Sequence, residues 1–142
     1  MTTAHMGACF CGAVQIEVVG EPEGMGYCHC RSCRSWSGGP INAFSLWKPD
    51  AVRVVAGQDR LATFSKTPAS ERRYCAVCGG HLMTNHPGLG LVDVFAATLP
   101  TLPFVPGLHV NYAETVLPMR DGLPKLRDFP AAFGGSGEQV PE

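Results

Sequence analysis

Apolar and polar residues alternate in short runs along this chain, and the runs end in glycine, proline or charged turns. Over Ala13–Val19, Val14, Ile16 and Val18 share one side while Gln15 and Glu17 take the other, the period-two pattern of a half-buried strand. Gly20–Gly24 turns that strand. Tyr27 leads into Cys33 as a strand end, Ile41–Trp47 is apolar and β-leaning, and Ala51–Ala56 sets Val52 and Val54 against Arg53, so the latter two read as a meander. Leu61–Phe64, Arg72–Tyr74, His81–Asn85, Leu89–Thr98 and His109–Val116 are the remaining strand candidates, and Asp121-Gly122 is a turn. No window of eleven or more residues holds a 3.6-residue period, and Ser37-Gly38-Gly39-Pro40 limits Arg34–Trp36 to one short helical turn. The pattern predicts a mainly β protein of one domain over 1–142. It has a loose leader at 1–6, an ordered body at about 7–128 and a frayed tail at about 129–142.

Composition changes this picture little. Gly and Pro contribute 17 and 12 of 142 residues, enough for many turns and below the roughly 25–30% that signals disorder. The 11 Lys plus Arg nearly balance 12 Asp plus Glu, so no global field draws nucleic acid or an anionic membrane, and a charged ligand must be held locally. Residues 1–8 lack the basic and apolar regions of a signal peptide, and Asp93 interrupts the apolar stretch of Leu91–Leu99. The expectation is a cytoplasmic protein with no membrane partner. In that compartment closely spaced cysteines serve metal binding or redox chemistry more often than disulfides.

The seven cysteines supply the candidate chemistry: Cys9-x-Cys11-Gly12, Cys28-His29-Cys30-x-x-Cys33, and Cys75-x-x-Cys78-Gly79-Gly80. An odd count excludes a complete disulfide framework, and four plus three suggests one closed tetrahedral zinc site and one with an open fourth position. Two residues between Cys75 and Cys78 let both thiols face one ion, and glycine tolerates the positive φ of such a loop. Pairing this clip with Cys9 and Cys11 gives four thiolates that staple the N-terminal loop to the middle of the chain. Structural zinc contributes about 10–16 kcal/mol in finger-type peptides, against a domain's net stability of about 5–15 kcal/mol. Loss of that ion therefore unfolds the chain. Cys28, Cys30 and Cys33 then share a second ion whose fourth corner is left to water or substrate.

Spacing alone leaves other partitions open. Cys30-x-x-Cys33 with Cys75-x-x-Cys78 also makes a zinc ribbon, and His29 or His81 could close a second structural site. A redox pair lacks the strand-to-helix setting, and an iron–sulfur cluster gains no support from Cys-x-Cys.

The segments Gly7-Ala-Cys9-Phe-Cys11-Gly12-Ala13-Val14, Cys28-His29-Cys30-Arg-Ser-Cys33-Arg34 and Cys75-Ala-Val-Cys78-Gly79 resemble, in this order, the glutathione-dependent formaldehyde-activating enzyme family, which includes centromere protein V. The resemblance spans roughly Gly7–Pro124. It implies a β-tent of small antiparallel sheets with little helix and two Zn2+ per chain. It also implies Cys9, Cys11, Cys75 and Cys78 as structural ligands and Cys28, Cys30 and Cys33 as catalytic ones. The activity implied is that of a carbon–sulfur lyase joining glutathione to formaldehyde as S-(hydroxymethyl)glutathione. His109-Val-Asn-Tyr112 and Asp121-Gly-Leu-Pro124 look like the family's last strand and turn, but Glu114 and Leu117 stand where many members have Lys and Trp.

A zinc ion with three thiolates suits an incoming thiol better than water, which gives the three cysteines the role of ligands. Glutathione's carboxylates call for cationic forks. Arg31 and Arg34, beside the catalytic thiols, are the first candidates, ahead of Arg72 and Arg73. His29, between two ligands, is a proton carrier, a hydrogen-bond donor that orients the ligands or, more simply, a packed ring. Trp36, Trp47 and Phe44 could wall a pocket or fill a core, and His86 and His109 carry no argument. Two further classes stay open, a non-catalytic zinc-stabilised binding module and a thiol-redox or metal-handling protein.

Overall fold

The structure, a computed structural model, describes residues 2–142 and is mainly β, with ten strands and one α-helix among the described residues. No helix among these residues is long and apolar enough to cross a membrane. The chain forms two compact units, one containing the chain through Glu23 with Ser45–Phe104, the other Gly24–Phe44 with Val105–Glu142.

In the first unit, β1 (Ala4–Ala8) runs antiparallel to β2 (Gln15–Val19), which pairs antiparallel on its other side with β5 (Val52–Ala56). The alternation in β2 is realised with Ile16 and Val18 fully buried and Gln15 exposed. Four more strands, β6 (Leu61–Thr67), β7 (Ser70–Cys75), β8 (His81–His86) and β9 (Leu91–Phe95), pair antiparallel in chain order. The unit's core joins Val14, Ile16 and Val18 to Trp47, Leu82, Met83, Val92, Val94 and Leu99. Trp47 belongs to β4 (Asn42–Trp47). Its buried indole donates to Ser45 Oγ at 2.9 Å, and that hydroxyl donates to Val94 O at 2.7 Å, so neither polar group is stranded.

The second unit contains β3 (Gly24–Cys28), α1 (Arg31–Ser37) and β10 (His109–Val110), with β10 parallel to β3. Helix α1 begins where Cys30, in extended conformation, accepts the Cys33 amide on its Sγ. It ends where Gly38 at φ 72° returns its amide to Arg34 O.

Several expectations are corrected. Residues 4–6 of the expected leader belong to β1, with His5 buried and its Nδ1 2.7 Å from Thr101 Oγ1. β5 pairs with β2 and not with β4, so the meander is absent. α1 starts three residues early because Cys30 caps it, a role that a reading of Cys as ligand alone conceals. The strand expected over His109–Val116 stops at Val110, since Asn111 turns the chain at φ 52°. The expected tail is tied down: Leu126 bridges Gln139, Val140 donates its amide to Lys125 O at 2.8 Å, and Glu142 accepts from buried Lys125 at 3.0 Å.

Candidate metal centres and the adjoining cleft

Each unit holds one group of thiols. In the first unit the Sγ atoms of Cys9, Cys11, Cys75 and Cys78 all lie within 4.8 Å of one another. Cys9 and Cys11 sit in the loop between β1 and β2, Cys75 ends β7, and Cys78 closes the turn before β8. Gly12 and Gly79, at φ 81° and 75°, give the two loops their left-handed step.

Backbone amides converge on the sulfurs, Val14 N on Cys9, Val77 N on Cys75 and Gly80 N on Cys78, each at 3.3 Å. The Gly80 amide draws the Cys78 thiol down to about 6. Cys11 is also drawn down, by the Ala13 amide, but desolvation and the neighbouring sulfurs outweigh that pull and push it up to about 11. Amides favour thiolate here while crowding opposes it, a conflict that a divalent cation resolves. The spacing fits. Zinc–sulfur bonds of about 2.3 Å give a tetrahedral edge of about 3.8 Å, and Cys9–Cys11 and Cys11–Cys75 are 3.8 and 3.9 Å apart.

In the second unit the Sγ atoms of Cys28, Cys30 and Cys33 also lie within 4.8 Å of one another. Cys28 is the last residue of β3, Cys30 the cap of α1 and Cys33 in its first turn. Crowding by Cys30 and Cys33, then burial, pushes the Cys28 thiol far up, so it too gains most from a cation. Asn111 aims its Nδ2 at Cys28 Sγ over 3.4 Å. Its left-handed backbone, tolerated by asparagine, is what delivers the amide there. Neither His29 nor His81 joins either thiol group, so a histidine-closed site and the ribbon pairing of Cys30 and Cys33 with Cys75 and Cys78 are both set aside.

Arg31 and Arg34 line a cleft of about 430 Å³ along α1, with Ser35, Pro40 and Val116. They are not equivalent. Arg34 donates from Nε to His29 O at 3.2 Å and from Nη2 to Glu114 O at 3.0 Å, which commits most of its fork to backbone. The Arg31 guanidinium has no partner among the described residues, while its amide donates to Glu114 Oε1 at 3.1 Å. Arg72 and Arg73 lie on β7 in the first unit, Arg73 within 3.7 Å of Glu71. Trp47 and Phe44 are buried, and Trp36 lies half-buried on α1.

A buried polar chain beside the Cys28–Cys33 turn escaped the sequence reading. His29 and His109 are both fully buried, His29 Nε2 lies 2.7 Å from His109 Nδ1, and His109 Nε2 lies 2.7 Å from Asp121 Oδ2. Asp121 in turn takes Lys125 Nζ. His29 Nδ1 lies 2.8 Å from Thr115 Oγ1. Burial, then His109 and Lys125, hold the His29 ring down to about 4, so it is neutral at pH 7. Asp121 is desolvated, which alone would raise it, yet Lys125 and His109 hold it well below the usual carboxylate range. The links span 80 and 86 residues, and no local spacing announces them.

Comparison with known proteins follows the same outline. The family model described as glutathione-dependent formaldehyde-activating enzyme matches residues 4–110. A Halomonas elongata protein provisionally named as such an enzyme is 32% identical over 100 residues, covering 66% of this chain and 64% of that protein. An uncharacterized lyase of Schizosaccharomyces pombe is 29% identical over 75 residues, 53% of each chain. The chain thus spans between about half and two thirds of the length of these curated relatives. A crystal structure of a Rhodobacter sphaeroides protein superposes with a TM-score of 0.58 at 24% identity, over 69% of this chain and 90% of that one, and shows a shared fold.

Proposed function

The chain belongs to the glutathione-dependent formaldehyde-activating enzyme family, whose model spans residues 4–110, and from that premise we propose that it is a zinc-dependent carbon–sulfur lyase. In this reading it joins a small thiol, glutathione or a close analogue, to formaldehyde or another small aldehyde. The observation that carries the proposal is the group at Cys28, Cys30 and Cys33, which offers three sulfur donors where a tetrahedral ion takes four. Cys9, Cys11, Cys75 and Cys78 would hold the structural zinc, and Cys28, Cys30 and Cys33 would hold the second. When bound there, zinc supplies Lewis acidity that favours the thiolate form of a substrate thiol.

The protein's own groups do the rest. Asn111 and the α1 cap fix the directions of the Cys28 and Cys30 sulfurs. Arg31, with an uncommitted fork on the cleft wall, takes a substrate carboxylate bidentately, and Arg34 contributes the edge it has left. In the addition the thiol S–H breaks, a carbon–sulfur bond forms, and the carbonyl oxygen takes up a proton as the π pair moves onto it. Holding both partners in one cleft makes this step effectively unimolecular.

The test compares two substitutions in the zinc-loaded protein. Serine is at least as good a helix cap as cysteine, so Cys30→Ser removes a ligand and keeps α1. It should retain the far-UV circular dichroism and one zinc per chain while losing the glutathione-dependent consumption of formaldehyde, followed by NMR. Cys78→Ser should unfold. Equal unfolding in both would identify an all-structural pair of clusters and sink the enzymatic reading.

A further inference from the structure

The polar chain behind the second thiol group has a direction. Lys125 Nζ is surrounded by three acceptors, Asp121 Oδ1, Leu123 O and Glu142 Oε2, so the ammonium is saturated and Asp121 stands as an ionised acceptor. Against that carboxylate His109 Nε2 must donate. Thr115 Oγ1 already accepts the Leu117 amide at 3.1 Å, and its own hydrogen needs an acceptor. Among the described residues only His29 Nδ1, at 2.8 Å, is in place. With Nδ1 accepting, neutral His29 carries its hydrogen on Nε2 and donates to His109 Nδ1 at 2.7 Å. Every donor and acceptor is then used once: Thr115 to His29, His29 to His109, His109 to Asp121. The opposite direction would place a second cation beside Lys125 at a fully buried ring and leave the Thr115 hydrogen without an acceptor among the described residues.

The chain ties two pieces of the site together. His29 lies between the thiols of Cys28 and Cys30, its amide held by Val110 O at 3.1 Å and its carbonyl by Arg34. Thr115 lies between Glu114, which binds the Arg31 amide and the Arg34 guanidinium, and Val116, which lines the cleft. We propose that His109 and Asp121 are positioning residues that hold His29 as its Nε2–H tautomer, so that its Nδ1 clamps Thr115, and with it the cleft wall at 114–116, to the ligand turn at 28–30. A flipped ring or tautomer would release the wall without removing any thiol. The effect on turnover rests on the thiol–aldehyde reading above; the clamp itself does not.

The experiment uses the full, zinc-loaded chain and three variants. In long-range proton–nitrogen NMR spectra of the wild type, both His29 and His109 should carry hydrogen on Nε2 and none on Nδ1; hydrogen on Nδ1 of either ring overturns the proposal. Asp121→Ala should move His29 off this single tautomer, and an unchanged pattern also overturns it. Thr115→Val keeps the shape and removes the hydroxyl. It should speed exchange of the Arg31 amide about tenfold, the scale of one lost part-buried hydrogen bond, and leave the Leu126 amide unaffected. Thr115→Ser should restore wild-type exchange. Unchanged Arg31 exchange, equal acceleration at Leu126, or failure of Thr115→Ser to restore would each overturn the clamp. With glutathione and formaldehyde as probes, Thr115→Val should raise KM more than it lowers kcat. A wild type that does not react this pair defeats the functional reading, while the ring and exchange measurements still decide the clamp.

Discussion

Cys30 illustrates how one side chain can answer to two demands. Its sulfur accepts the Cys33 amide as the cap of α1 and stands in the three-thiol group, so a candidate ligand and the helix start are placed by the same atom. Burial gives His29 a different double character. Its ring titrates near 6.5 when unfolded and about 4 when folded. As pH falls through this interval the unfolded chain takes up a proton that the native ring refuses, so stability is full above about 6.5 and declines toward about 4. Urea titrations with zinc content checked at each pH should show this decline, and His29→Gln should flatten it. The thiols were legible residue by residue, because ligand chemistry needs particular side chains at short spacings. His109, Asp121 and Asn111 were not, because what qualifies them is a partner some 80 residues or 12 residues away, reached only through the fold.

Strands announce themselves through period-two alternation, and those with one buried face, β2 above all, lie where the pattern puts them. Pairing is another matter. Which strand lies beside β5 depends on packing over long separations, and the neighbour in sequence, β4, is not the neighbour in the sheet. β1 was missed because Ala4–Ala8 alternates His5 and Gly7, rather than aliphatic residues, toward the interior. The join between β5 and β2 has its own requirement. Gly57, at φ 75°, sits where a Cβ would stand 1.9 Å from Ala13 O, next to the loop that carries Cys9 and Cys11. Gly57→Ala therefore meets both backbone strain and a backbone clash. It should destabilise by more than about 2 kcal/mol, seen as a lowered melting temperature with the four-thiol ion released earlier on heating. Gly38→Ala, at φ 72° with open space around its Cβ position, should be milder, at about 1 kcal/mol.

At the scale of the molecule, the two thiol groups divide between the two units although their cysteines interleave along the chain. Full chelation should accordingly proceed in two phases. On the proposed reading, zinc held by Cys28, Cys30 and Cys33 should leave first and without loss of near-ultraviolet circular dichroism, and an ion held by the four-thiol group later and together with folded structure. A colorimetric chelator followed beside the spectrum checks this, and Cys30→Ser should abolish the first phase alone. The same division sets an order of assembly during synthesis. Cys28, Cys30 and Cys33 leave the ribosome together, so an ion can be captured by a few adjacent residues with almost no loop to close. Cys11 must wait 64 residues for Cys75, and the loop then closed adds the larger entropic demand. In a growing chain the three-thiol group is thus complete first, and the four-thiol group of the first unit is complete last.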